Sequence, residues 1–221
     1  MKLCGAVLAI LWLALLPLAA FAEYENGPIN GTTDAWTINF GYVVSDTFLG
    51  DGNAFGAFLI GVWEFPGDTM TSVQWSVTSG ENSGTVYGSG VASGNQLTDK
   101  FISTNQYGYD IDIITVTGLN VPTTSGTTYW LNLQNASVPS GDPVYWDENS
   151  GAGCNSYGCP SKASESAVGT IASEAFTIAS CGAGNGSPSG CGPPTPEPGS
   201  IFLFGSGVLV LAAILRGRLR L

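Results

Sequence analysis

Apolar residues recur with a period of two through much of this chain, in short runs separated by clusters of Gly, Ser, Asn and Pro. In 72–78, Val73, Trp75 and Val77 point one way and Ser72, Gln74, Ser76 and Thr78 the other, the pattern of a strand with one buried face. In 127–134, Tyr129, Leu131 and Leu133 form the expected core face, opposite Thr128, Trp130, Asn132 and Gln134. In 107–117, Tyr107, Tyr109, Ile111 and Ile113 share one face while Asp110, Asp112, Ile114 and Val116 share the other, so this strand starts half exposed and ends more buried. Enrichment in Val, Ile, Thr and aromatic residues adds strands at 35–44, 54–65, 84–92 and 173–179. Glycine is frequent enough to break helices between these runs. The fold class predicted is all-β: an antiparallel β-sandwich of jelly-roll or immunoglobulin-like kind, with a single closed barrel as the alternative.

Two segments depart from this pattern. Residues 1–22 carry Lys2, an apolar stretch to Pro17 and the small-residue exit Ala20-Phe21-Ala22, the order of a secretory signal peptide cleaved after Ala22. An uncleaved N-terminal anchor is the alternative. At the other end, Pro196-Glu197-Pro198 precedes an apolar run at 201–215 and a basic stop made by Arg216, Arg218 and Arg220. With Gly199 and Ser200 the run reaches the lower edge of what spans about 30 Å of hydrocarbon as a transmembrane helix. The arginines place that end inside and the preceding chain outside. The organisation expected is therefore a signal peptide (1–22), a β-sandwich domain (23–180) opening with an unstructured lead-in to residue 31, a Gly/Pro/Ser-rich spacer (181–195) and a tail (196–221).

The order of Pro196-Glu197-Pro198, apolar helix and Arg-rich terminus resembles the bacterial PEP-CTERM sorting signal. The resemblance covers 195–221 only, and Thr195 stands where Val is common. It implies recognition by exosortase, residence in the cytoplasmic membrane during sorting, removal of the helix near the motif, and delivery to the cell surface or exopolysaccharide matrix. The stretch from Tyr107 through Trp146 is loosely similar to the β-sandwich bodies of other sorting-tail proteins and brings no catalytic residue with it. An ordinary single-pass anchor is the plainer alternative.

Composition narrows the chemistry. Between the two targeting segments only Lys100 and Lys162 are basic against sixteen acids, a net charge of 2 − 16 = −14. Such a surface repels nucleic acid, which is excluded as a partner. Once Cys4 is removed with the signal peptide, Cys154, Cys159, Cys181 and Cys191 remain, an even number that suggests disulfides outside the cytoplasm. Four cysteines allow three pairings, and the local one joins Cys154 to Cys159 and Cys181 to Cys191. Zinc is the rival, but the spacings lack short knuckles and the chain has no histidine.

The absence of histidine also removes Ser-His-Asp and Cys-His catalysis. Paired carboxylates, Asp110 with Asp112 or Asp147 with Glu148, leave a secreted glycosidase conceivable; solvated strand-end acids explain them equally. No catalytic residue, metal or cofactor is expected. Asp46, Asp51 and Asn53 around Gly50 and Gly52 offer oxygen ligands for calcium, although a turn needs the same residues. Of the tryptophans, Trp63 and Trp75 have core-like settings, so Trp130 and Trp146 with Tyr145 are the expected glycan contacts if the domain binds carbohydrate. The leading expectation is a non-catalytic, surface- or matrix-destined protein with a structural or adhesive role in exopolysaccharide. A carbohydrate-binding module stands second.

Overall fold

The computed structural model of the chain describes residues 23–149 and 162–181. Its strands, in chain order, are β1 (Glu23–Asn26), β2 (Ala35–Thr37), β3 (Val43–Leu49), β4 (Ala54–Glu64), β5 (Ser72–Gly80), β6 (Ser83–Ser93), β7 (Leu97–Thr104), β8 (Asp110–Val116), β9 (Val121–Pro122), β10 (Thr128–Ser137), β11 (Tyr145–Asp147), β12 (Ala163–Glu165), β13 (Gly169–Ile171) and β14 (Phe176–Cys181). The helical content of the described residues is one 3-10 turn, Gly94–Gln96.

All pairings are antiparallel and form two sheets. The first is organised around β4, whose eleven residues are long enough to take two partners on each edge. Phe58 pairs with Ile178 of β14 and Val116 of β8, and Trp63 pairs with Tyr145 of β11 and Ile111 of β8. Strand β1 extends the sheet beyond β14, β2 beyond β11 and β7 beyond β8, while β9 lies against the start of β4. The second sheet has the order β13-β12-β3-β10-β5-β6.

Period-two alternation turns one face of each sheet inward. Phe58, Ile60 and Val62 of β4, Ile114 and Val116 of β8, Trp146 and Phe176 come from the first sheet. They join Val44 and Phe48 of β3, Val73, Trp75 and Val77 of β5, and Tyr129, Leu131 and Leu133 of β10 in one core. Rings meet across the gap, Phe48 to Phe55 at 5.8 Å and to Tyr24 at 6.2 Å between centroids. Two antiparallel sheets sharing one core is the layering of a sandwich.

Three expectations are corrected. The run 35–44 is two strands in different sheets, β2 in the first and β3 in the second, separated by a tight turn at Asn39–Tyr42. The lead-in at 23–31 is ordered: β1 pairs with β14, and 28–31 lies over the outer face of the first sheet. A Cβ on Gly31 would stand 2.4 Å from Ile111 Cδ1, and one on Gly61 2.5 Å from Ile29 Cγ2, so only glycine admits this close cover. Strand β7 was not expected, because an exposed edge strand needs no apolar face. No helix of the described residues is long and apolar enough to cross a membrane, and 1–22 and 196–221 lie outside them.

Candidate functional site

The C-terminal end of β4 carries unusual chemistry on both of its faces. On the inner face Glu64 pairs with Asp110, Val62 with Asp112, and Ile114 with Asp99 of β7, so register alone gathers four carboxylates on the side facing the core. Lys100 pairs with Ile113 and belongs to the opposite face. Asp99 accepts from Met70 N at 2.6 Å, and Asp110 from Gly67 N at 3.2 Å and Thr104 Oγ1 at 3.0 Å. Asp68, from the same connection as Gly67, accepts from Ser140. Glu64 is 0% exposed and neither of its oxygens has a hydrogen-bond partner. Burial first, and then Asp99, Asp112, Asp68 and Asp110, push its carboxyl up to about 8. Burial, with Asp99 and Asp110, raises Asp112 to about 6. Among the described residues no three Asp, Glu, Cys or His side chains are placed to hold a metal ion.

A second buried polar group lies between β1, β3 and the start of β14. Asp46 Oδ2 accepts from Glu174 N at 2.7 Å and Asn26 Nδ2 at 3.2 Å, and Asn26 Nδ2 also reaches Ser173 Oγ. Glu174 is fully buried, and burial with the nearby Asp46 raises its carboxyl well above the usual range.

Beyond the end of β4 the chain makes four hydrogen-bonded turns. Tyr42 N donates to Asn39 O, Asp68 N to Phe65 O, Gly108 N to Asn105 O and Gly141 N to Val138 O. Side chains lash them together. Ser140 donates to Asp68, Asn39 Nδ2 to Asp142 O, Gly67 N to Asp110, and Asn105 Oδ1 accepts from Tyr107 N and Tyr109 N. In the second turn Pro66 and Gly67, with φ +87°, occupy the two central positions that a type II turn assigns to them.

These turns display aromatic rings. Phe40 is 63% exposed, Tyr107 58%, Tyr42 42% and Phe65 38%. Beneath them, on the outer face of the first sheet, Trp63 stacks on Tyr107 at 5.7 Å and meets Tyr109 at 5.8 Å. Tyr109 in turn meets Phe65 at 5.1 Å and Tyr145 at 5.7 Å. Trp63, Phe65, Tyr107, Tyr109 and Tyr145 thus support one another in a continuous cluster, and the polar groups around it are the Tyr hydroxyls and Asp142. Phe40 has φ +55° and Gly41 +88°, the pair of left-handed conformations a type I′ turn requires; a bulky side chain is out of place at the first of them.

The three expected glycan contacts do not meet. Tyr145 belongs to this cluster. Trp146 is wholly buried, its Nε1 donating to Ala175 O at 3.0 Å and its ring packed on Phe176, so no sugar can rest on it. Trp130 is half-buried on the outer face of the second sheet, beside a hollow lined with Thr47, Leu49, Thr128 and Lys162. Trp75 packs in the shared core as its setting suggested, whereas Trp63, buried, belongs to the outer face under Tyr107 and not to that core, and Trp36 is partly buried with its Nε1 3.4 Å from Glu148.

Neither of the two carboxylate pairs weighed for hydrolysis is free in a shared cleft. Asp110 and Asp112 share a face as expected, but it is the inner one. Asp147 lies on the outer face, where Trp63 Nε1 at 2.7 Å and the backbone of Asn30 and Gly31 occupy its oxygens. Asp51 and Asn53 form the plain turn that competed with calcium, Asn53 N donating to Asp51 at 2.8 Å, while Asp46 faces the core from mid-strand. Cys181 ends β14; Cys154, Cys159 and Cys191 lie outside the described residues, as do Pro196, Glu197, Pro198, Arg216, Arg218 and Arg220.

Comparison with known proteins adds one identification. The family model of the PEP-CTERM protein-sorting motif matches residues 194–218. The tail is therefore a PEP-CTERM sorting signal, the mark of an exported protein recognised by exosortase. No curated protein matches the chain.

Proposed function

We propose that this is a non-catalytic β-sandwich protein, delivered through its tail to the cell surface or extracellular matrix, where it has a structural or adhesive role. The observation that carries this reading is the sorting motif at 194–218. In it, 201–215 is a transmembrane helix held by Arg216, Arg218 and Arg220 until exosortase acts near Pro196-Glu197-Pro198. Residues 1–22 are the export signal, and the cysteines close disulfides outside the cytoplasm. Two features support a body without catalysis: no histidine is available, and the carboxylates weighed for hydrolysis are engaged elsewhere, Asp110 and Asp112 facing the core and Asp147 occupied by Trp63 and the backbone of Asn30 and Gly31. Whether the sandwich is nearer the jelly-roll or the immunoglobulin kind matters little to this role.

Intact mass of the protein recovered from membrane and surface fractions tests the reading. A surface form beginning at Glu23 and ending close to Pro198 is expected. Retention of Arg216 through Leu221 in every molecule would make the tail a plain anchor and sink the sorting reading. A second reading, carbohydrate binding, is favoured by the exposed rings at the end of β4.

A further inference from the structure

We propose that the aromatic end of the sandwich, with Phe65 and Tyr107 as its exposed platforms and Tyr109 and Tyr145 between and beneath them, binds neutral polysaccharide. The inference rests on the reading of the domain as a non-catalytic adhesive module and gives that module its ligand class and its site.

Folding does not require these rings to be outside. Four large aromatics stand exposed on three of four turns that are fastened to one another, whereas the same residues could have been polar without loss to the core. Phe40 makes the point most sharply. Its position calls for Asn or Gly, and a side chain with a Cβ held at left-handed φ costs about 1–2 kcal/mol. That cost places a ring in solvent beside Asn39, whose side chain is tied to the Asp142–Val144 segment leading into Tyr145.

The character of the surface selects the ligand. An aromatic ring offers a flat apolar face, and a pyranose offers a complementary face of C–H groups with hydroxyls at its edge. Around the rings stand the acceptors and donors that fix orientation in such sites: Tyr hydroxyls and the carboxylate of Asp142. None of the turns, 39–42, 65–68, 105–108 and 138–141, contains Lys or Arg, while Asp68 lies in one of them and Asp110 and Asp142 flank others. An anionic polymer, a nucleic acid or an anionic lipid surface meets repulsion here, and a neutral chain does not. The closed turns also mean that little freedom is lost when a ligand docks.

The test uses the full chain in nonionic detergent, with amorphous cellulose as the neutral probe, alginate as the anionic one, and cellohexaose for calorimetry. Retention on cellulose and not on alginate is expected. Tyr107→Ala and Phe65→Ala should each weaken binding at least about tenfold, Tyr107→Phe should preserve it, and Trp130→Ala on the other sheet should leave it unchanged. The near-ultraviolet circular dichroism of each variant reports that the fold is intact. Binding that survives both Tyr107→Ala and Phe65→Ala, a preference for alginate, or a dimer that Tyr107→Ala converts to monomer would overturn the proposal. If the protein is trimmed and delivered to the surface yet retains no neutral glycan, the site fails and the sorting reading stands. If the folded chain binds cellulose but is never delivered, the sorting reading fails and the site stands.

Discussion

Glu64 provides the sharpest stability prediction. Replaced by Gln, it keeps its shape and loses its ability to ionise. In the folded protein its carboxyl titrates at about 8, against an ordinary 4.5, so the folded state holds a proton that the unfolded state releases. The effect on stability is absent below about pH 4.5, grows as pH rises, and is complete above about pH 8. At about 1.4 kcal/mol per pH unit, the wild type forgoes about 3 kcal/mol at pH 7 and about 5 kcal/mol at pH 9. For a domain of about 5–15 kcal/mol total stability this is a large fraction. Both oxygens of Glu64 lack partners, so a neutral amide there meets much the same surroundings as a neutral acid. Glu64→Gln should therefore exceed the wild type by less than about 1 kcal/mol at pH 5 and increasingly toward pH 9. Urea unfolding of the full chain in nonionic detergent, followed by tryptophan fluorescence at pH 5, 7 and 9, measures the difference directly. Taking variant minus wild type removes Asp99, Asp112 and Glu174, whose raised carboxyls bend both curves the same way. Parallel pH curves for the two proteins would refute the reasoning.

Other substitutions probe the rest of the molecule. Trp146→Ala opens a cavity under Phe176 and leaves Ala175 O with Gly61 N as its one remaining donor, and should cost about 3–5 kcal/mol in denaturant unfolding without touching glycan binding by the folded fraction. Phe40→Gly should raise stability by about 1 kcal/mol by relieving left-handed strain, and weaken retention on cellulose in the same protein. Asn132→Ala should cost about 2–4 kcal/mol in thermal unfolding, since Asn132 accepts from Ser45 Oγ and Asn82 N and donates to Thr78 Oγ1. Gly31→Ala should destabilise by more than about 1 kcal/mol, because Ile111 and a φ of +63° both oppose a Cβ.

The strands with one wet face were legible in the sequence. Val73, Trp75 and Val77, and Tyr129, Leu131 and Leu133, are buried as their alternation requires. Where tertiary partners decide, the pattern was silent. Glu23–Asn26 has no apolar run of its own and becomes a strand by pairing with β14, and Leu97–Thr104 does so against β8. The split of 35–44 hinges on Phe40, a residue whose left-handed conformation no propensity would assign. Asp112, weighed as a solvated strand-end acid, is buried because Ile114 and Val116, on its own face, point into the core and carry it along. The aromatic end was hidden for a different reason. Phe40, Phe65, Tyr107 and Tyr145 are scattered over more than a hundred positions and reach one pole only because four turns close there.

The position of β14 has a mechanical consequence. Its last residue, Cys181, pairs with Ala54 at the start of β4, whereas the aromatic turns follow Glu64 at the other end. Ten residue steps of strand, about 33 Å, separate these poles. A pull between the exit of the chain at one pole and a ligand gripped at the other runs along β4, loading its ladders with β14 and β8 in shear. Hydrogen bonds loaded in shear share the force together, while those in an unzipping hairpin break one at a time. The domain is strung lengthwise, as a link in a tether would be.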